Sequence, residues 1–208
     1  MGEAQDELDL VERSRQGDLA AFNAIVAAYQ DRVYNLCLRM LGQPQAAEDA
    51  TQDAFLSAYR NARNMRGGSV RAWLMRIAAN ACIDELRRRK RQPQFSIDAR
   101  RPGAGDEPER AFDVADRAAG PEQLALRGEV REALQRELQA VPADQRLAII
   151  LCDIEGLSYD EIAVAMGSSV GTVKSRISRG RARLRTRLRA RPELFGELIR
   201  PTDRTSTS

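Results

Sequence analysis

Histidine is absent from all 208 residues of the chain. That removes the commonest general base and metal ligand, and makes hydrolytic or zinc chemistry a poor expectation. Only three cysteines occur, Cys37, Cys82 and Cys152, with no CxxC pair among them. Their odd count, and the lack of a signal-peptide pattern, lead to the expectation of a reducing cytoplasm, with the thiols packed rather than redox-active. No apolar run approaches the roughly 20 residues that span a bilayer, so membrane insertion is not expected. Aromatic residues make up 5% of the chain, which leaves any core to Leu, Ile, Val, Ala and Met. Strand-like runs of Val, Thr and Tyr are scarce as well, so the expected fold class is all-α. No cluster of nucleophile, base or metal-binding carboxylates stands out, so neither an enzyme nor a metal or other cofactor is expected.

What the chain does have is uneven charge. Its net charge is only +3, so partners must be read from where the charges lie. From Ile162 to Pro192 there is no Asp or Glu, yet nine residues are basic. Arg87-Arg88-Arg89-Lys90-Arg91 forms a second basic block. Two such blocks, far apart in sequence, point to a polyanion as partner.

Apolar periodicity predicts four helices in the first 91 residues: Leu8 to Arg15, Leu19 to Leu41, Pro44 or Gln45 to about Arg63, and Val70 to about Arg91. The third and fourth are separated by "NMRGGS", where two adjacent glycines permit positive φ. From Gln92 to Pro121 the periodicity collapses, with four Pro, three Gly and six acidic residues against four Arg. This composition reads as a flexible, slightly acidic linker. Helices are expected again at about Glu122 to Ala140, Ala143 to Glu155, Tyr159 to Met166 and Val170 to Ala190. The expected organisation is thus two small helical domains, 1–92 and 122–190, joined by a linker at 93–121 and followed by a tail at 191–208.

In the second domain Ser158 and Glu161 form a capping-box signature that opens a short helix. Gly167 supplies a tight turn, and Ser169 can cap the next helix. In that helix Val170, Val173, Ile177, Leu184 and Leu188 recur at three-to-four spacing and face inward. Lys174, Ser175, Arg176 and Arg179 fall outside the stripe, within the first turns. This is the layout of a helix-turn-helix, whose second helix enters the major groove with its N-terminal residues aimed at base edges. Arg suits the acceptor pair on guanine, and Ser tolerates several edges. The later arginines, Arg181 to Arg191, are expected to meet phosphates or water. A lipid-binding basic helix is the competing idea, but Trp and Phe are missing from residues 158–190. Gly180 within this helix costs about 1 kcal/mol relative to Ala, which predicts a weakened helix beyond Arg179.

In the first domain "AAEDATQDAFLSAY" puts Asp49, Gln52 and Asp53 on one helix side, with Phe55 and Tyr59 adjacent. Carboxylates four apart repel by a few tenths of a kcal/mol unless something basic meets them, so the patch suits either a protein-docking surface or a plain solvated face. Farther on, Asn80, Asp84 and Arg87 or Arg88 share one side of the fourth helix. Asn and Asp can hydrogen-bond base edges while arginines hold phosphates, and the Gly67-Gly68-Ser69 loop could admit a splayed base.

Together these residues resemble the extracytoplasmic-function (ECF) class of bacterial RNA polymerase sigma factors, over roughly Gly17 to Arg91 and Glu122 to Arg189. "AEDATQDAF" is similar to that family's core-polymerase-binding stretch, matched by Asp49, Gln52, Asp53 and Phe55. "WLMRIAANACIDELRRRKR" looks like the segment that melts and reads the −10 promoter element. The resemblance assigns Asn80 and Asp84 to its base contacts and Ser69, Trp73, Arg76, Arg87 and Arg88 to the surrounding DNA surface. "YDEIAVAMGSSVGTVKSRISRGRARL" looks like the −35-reading helix-turn-helix, with Thr172, Lys174, Ser175, Arg176 and Arg179 at its DNA-facing positions. Ser178 stands where the family often has a bulkier residue. The resemblance implies core RNA polymerase, promoter DNA and an anti-sigma factor as partners. A stand-alone helix-turn-helix regulator acting on duplex operator DNA is the alternative.

Overall fold

The computed structural model describes residues 2–65, 69–91 and 121–196. Among them every regular element is helical. Of the linker predicted at 93–121, all but Pro121, which begins a helix, lies outside the described residues, as do Gly67-Gly68 and the last twelve residues.

The first half holds α1 (Gly2–Arg15), α2 (Leu19–Leu41), α3 (Pro44–Asn61) and α4 (Val70–Arg91). Helix α1 starts six residues before the predicted Leu8, because Glu, Ala and Gln sustain a helix without adding to an apolar stripe. Asp18 caps α2 by accepting from the Ala20 and Ala21 amides at 2.9 and 3.1 Å. The α2 helix ends where Gly42 turns left-handed at φ 77°, a conformation that glycine adopts without steric cost. Pro44 occupies the first turn of α3, where its missing N–H would be unpaired anyway. This helix stops at Asn61, and a single 3-10 turn, Ala62–Asn64, finishes the stretch predicted to be helical to Arg63.

The second half holds α5 (Pro121–Gln139), α6 (Ala143–Ile149), α7 (Tyr159–Met166), α8 (Val170–Arg189) and α9 (Pro192–Phe195). The helix predicted from Ala143 to Glu155 changes register partway. Ile150–Ile154 is a π-turn, and the Glu155 amide donates to the Ile150 carbonyl at 3.0 Å. Helix α9 falls within the predicted tail. Pro192 starts it and Phe195, 1% exposed, buries its ring, a local anchor that periodicity over four residues does not reveal.

The two helical domains are both present, and they also touch. Their buried side chains form one contiguous cluster, running from Phe22, Leu36 and Met75 in the first half to Leu147, Leu151 and Ile162 in the second. Helix α4 packs on α7, and α2 on α5 and α6.

Candidate nucleic-acid interface

Two caps and one glycine build the turn between α7 and α8. Ser158 Oγ accepts from the Glu161 amide, and the Glu161 carboxylate accepts from the Ser158 amide at 2.8 Å, completing the capping box. Gly167 closes α7 at φ 56°. Ser169 then caps α8, accepting the Thr172 amide at 3.2 Å. Thr172 is drawn into this cap, its hydroxyl 2.9 Å from Ser169 Oγ.

Along α8, Val173, Ile177 and Gly180 are buried. The helix runs unbroken through Gly180 to Arg189. Gly180 is there for space: a β-carbon would come within 3.0 Å of the Gln145 carbonyl and 3.1 Å of Ile149 Cγ2 on α6. Close approach of α6 and α8 explains the residue better than a tolerated defect.

The solvent face of α8 carries Lys174, Ser178 and Arg179, all exposed, with Ser175 at its edge. The Lys174 ammonium lies over the Tyr159 ring of α7, 5.9 Å from its centre, a cation–π contact that holds it beside the turn. Arg179 folds back, donating to Ser175 Oγ at 3.0 Å and to the Ser175 carbonyl at 3.2 Å. Arg176 points elsewhere. It is half-buried at the α6 flank and donates to Asp144 at 3.1 Å.

The later arginines divide into two groups, which corrects the expectation that they all meet phosphates or water. Arg181 pairs with Asp153, which holds its guanidinium pKa above the ordinary value, through the hydrogen bond and then through charge. Arg187 and Arg191 both reach the buried Glu137, at 2.7 and 2.9 Å. These three brace α8 against its own domain. Arg183, Arg185 and Arg189 are exposed and pair with no acid among the described residues.

In the first half, Ser69 caps α4, its hydroxyl accepting the Ala72 amide at 3.2 Å. Trp73 is half-buried against the core and Arg76 half-buried beside it. Asn80, Asp84, Arg87 and Arg88 are all exposed. The basic block is partly neutralised by its own helix. Arg87 pairs with Asp84 at 3.2 Å, and Arg88 and Arg89 share Glu85, both at 2.7 Å. The Arg87–Asp84 pair is 70% and 73% exposed, the kind of contact that contributes little and yields readily to a stronger partner.

On α3, Asp49, Gln52 and Asp53 lie exposed in one stripe. Phe55 is different: it is half-buried and packs against the core. The apolar residue that this stripe presents to solvent is Leu56, 53% exposed, which the sequence analysis missed. Its position, three after Asp53 and seven after Asp49, could have revealed it. Tyr59 meets Phe22 edge-on at 5.0 Å. A groove between α3 and α4 brings Asp49 and Asp53 together with Asn80, Asp84 and Arg88. The α8 residues stand apart from it on another element.

Comparison with known proteins agrees with this geometry. Residues 25–92 match Sigma-70 region 2, and residues 131–184 match Sigma-70, region 4. The chain is 37% identical over 170 residues to the ECF RNA polymerase sigma factor SigE of Mycolicibacterium smegmatis, covering 82% of this chain and 62% of that protein. It is 38% identical over 178 residues to the RNA polymerase sigma-H factor of Pseudomonas aeruginosa, covering 85% and 91%. Among solved structures, the sigma factor RpoE of Bartonella quintana, in complex with the anti-sigma factor NepR, superposes with a TM-score of 0.61 at 26% identity, covering 81% of this chain and 96% of that one. Both sigma regions on one chain do not favour a stand-alone helix-turn-helix regulator. The chain belongs to the ECF RNA polymerase sigma factors, the proteins that direct RNA polymerase to its promoters.

Proposed function

We propose that α3 docks on core RNA polymerase, α4 captures the unpaired −10 strand, and the N-terminal half of α8 reads the −35 duplex. The observation that carries this reading is the separation of charge by surface. The exposed α3 stripe is acidic, whereas the exposed face of α8 holds no carboxylate from Val170 to Arg189. DNA is repelled by the first and attracted to the second.

Docking on the polymerase is assigned to Asp49, Gln52 and Asp53, with Leu56 as the apolar centre and Phe55 as its support from below. Two carboxylates at i and i+4 repel in the free protein and are relieved by a basic partner. In the −10 region Asn80 offers an amide whose donor and acceptor fit a base edge. Extruding a base costs a few kcal/mol, which contacts from Asn80, Asp84 and the arginines offset. Arg87 can leave Asp84 for a phosphate at small cost, freeing the carboxylate to accept from a base. Ser69, Trp73 and Arg76 support this surface from the helix start and its flank.

On α8, Lys174, Ser175 and Arg179 are the groove-facing set, and Ser178 joins them at the centre of the exposed face. Thr172 acts through the cap, and Arg176 orients the helix through Asp144. The partners are core RNA polymerase and promoter DNA, and the place of action is the cytoplasm. An anti-sigma factor as a further partner is supported by the Bartonella relative, which is bound to one.

Core binding tests the docking assignment. Asp49→Arg/Asp53→Arg changes two exposed side chains, so helicity and melting temperature should hold. Affinity for core polymerase should fall at least tenfold, about 1.4 kcal/mol or more. Unchanged affinity would show that the α3 face is not the docking surface.

A further inference from the structure

A lysine is a compact, strongly hydrated point charge on a flexible four-carbon stem. Left loose at a DNA surface it follows the phosphates, whose contacts carry no sequence information directly. Lys174 is exposed but not loose. No carboxylate shares its helix from Val170 to Arg189. What meets it is an aromatic face: its ammonium lies 5.9 Å from the centre of the Tyr159 ring, on the neighbouring helix α7.

Both ends of this contact rest on fixed backbone. Tyr159 is the first residue of α7, directly after the Ser158 cap. That cap is closed twice, because the Glu161 carboxylate accepts from the Ser158 amide at 2.8 Å and from its hydroxyl at 2.9 Å. Lys174 follows Val173, which packs in the same buried cluster as Ile162 and Ala163 of α7. The Tyr159 ring itself is 37% exposed, so core packing does not account for it. Tyr159 also lies close enough to Arg181 to interact with its charge, and Arg181 is paired with Asp153. The ring therefore stands beside two cations of α8 that are about two turns apart.

The remaining cations of α8 follow a pattern. Arg176 is tied to Asp144 and Arg179 to Ser175. Arg183, Arg185 and Arg189 pair with no acid among the described residues. Each cation in the N-terminal half of the helix thus has its head group placed before DNA arrives. Placement suits base reading, since a side chain already ordered loses less freedom on binding. A lysine held over a ring face keeps N–H donors for the N7 and O6 acceptors of guanine.

We propose that Tyr159 is a positioning residue: by holding the Lys174 ammonium over its ring, it makes Lys174 a reader of a base edge and sets the preference for guanine at one base pair. This rests on the −35-reading role of α8 given above.

Run-off transcription by core polymerase with the full chain tests it, on templates randomised over the −35 and −10 elements and sequenced after selection. Lys174→Met should flatten the preference at one −35 base pair by about threefold or more, which identifies the pair. Tyr159→Leu should flatten that same pair by about threefold, the scale of an exposed cation–π contact, and leave the other positions unchanged. Tyr159→Phe keeps the ring and should keep the wild-type preference. Tyr159→Leu/Lys174→Met should match Lys174→Met alone, because the ring acts through the lysine. All variants should retain wild-type helicity. A Tyr159→Leu variant with wild-type preference, or with preference lost evenly at every position, would overturn the assignment. So would loss in Tyr159→Phe, or a Lys174→Met variant that flattens no pair. A wild type that yields no transcripts would sink the promoter-reading role and the assignment with it, an outcome distinct from transcripts whose −35 preference ignores Tyr159.

Discussion

Gln139, at the end of α5, and Gly42, at the end of α2, fit against one another: the glutamine side chain fills the volume that a β-carbon at Gly42 would need, 2.9 Å from Gln139 Cδ. Gly42 also sits at φ 77°, where an L side chain costs roughly 1–2 kcal/mol. Gly42→Ala should therefore lower stability by about that amount and displace Gln139 as well. Urea unfolding measures it, and an unchanged midpoint would contradict both effects.

Glu155 supplies a pH dependence of definite sign. Burial pushes its carboxyl pKa up, and Arg32, Arg39 and Arg71 only partly offset this. A raised folded-state value means that the folded chain binds the proton more readily than the unfolded chain does. The associated stability is present below the ordinary glutamate range and is lost as pH rises through the raised value. Glu155→Gln should accordingly melt higher than wild type at neutral pH, with the advantage vanishing as pH falls into the ordinary glutamate range. Thermal melts of both proteins across that window check the sign.

Gly180 tests whether packing or propensity governs α8. Propensity alone predicts that Gly180→Ala gains about 1 kcal/mol. The contacts with the Gln145 carbonyl and Ile149 cancel that gain, so the alanine variant should show no rise in melting temperature. Gly180→Val should lose about 1–3 kcal/mol through overpacking. A stabilised alanine variant would show that α6 can give way.

The arginines of α8 should separate in a paired experiment. Arg187→Ala strips one of two cations from the buried Glu137 and should lower stability by about 1–3 kcal/mol with little change in binding to −35 duplex. Lys174→Ala and Arg179→Ala should do the reverse. Each should keep stability and weaken duplex binding, by about 1–3 kcal/mol with relaxed specificity for a base contact, or with a salt slope reduced by about 1 for a phosphate contact. Fluorescence anisotropy at several salt concentrations, alongside melts, distinguishes the cases.

These residues also mark what the sequence alone could disclose. The Val173/Ile177 stripe, the Ser158–Glu161 box and the Gly167 turn act within a few residues of one another, so local pattern placed the helix-turn-helix correctly. The α3 acids were equally legible, because helical spacing puts Asp49 and Asp53 on one side whatever surrounds them. The meaning of Gly180 was not legible, since the groups it makes room for sit some thirty residues away on α6. Arg187 and Arg191 looked like free cations for the same reason: Glu137 lies about fifty residues earlier. That Phe55 is half-buried and Leu56 exposed was not legible either, because composition marks an aromatic as conspicuous, whereas burial depends on the phase of α3 against the core. Gln135 and Gln139 carry no sequence signal at all, as their partners are backbone carbonyls about a hundred residues distant.

Run-off transcription with purified core polymerase and a randomised promoter library tests the central claim most directly. Wild-type protein should yield transcripts from templates sharing one −35 and one −10 sequence, and Asp49→Arg/Asp53→Arg should yield none. A core preparation that initiates with another sigma factor but stays silent with this chain would contradict the account.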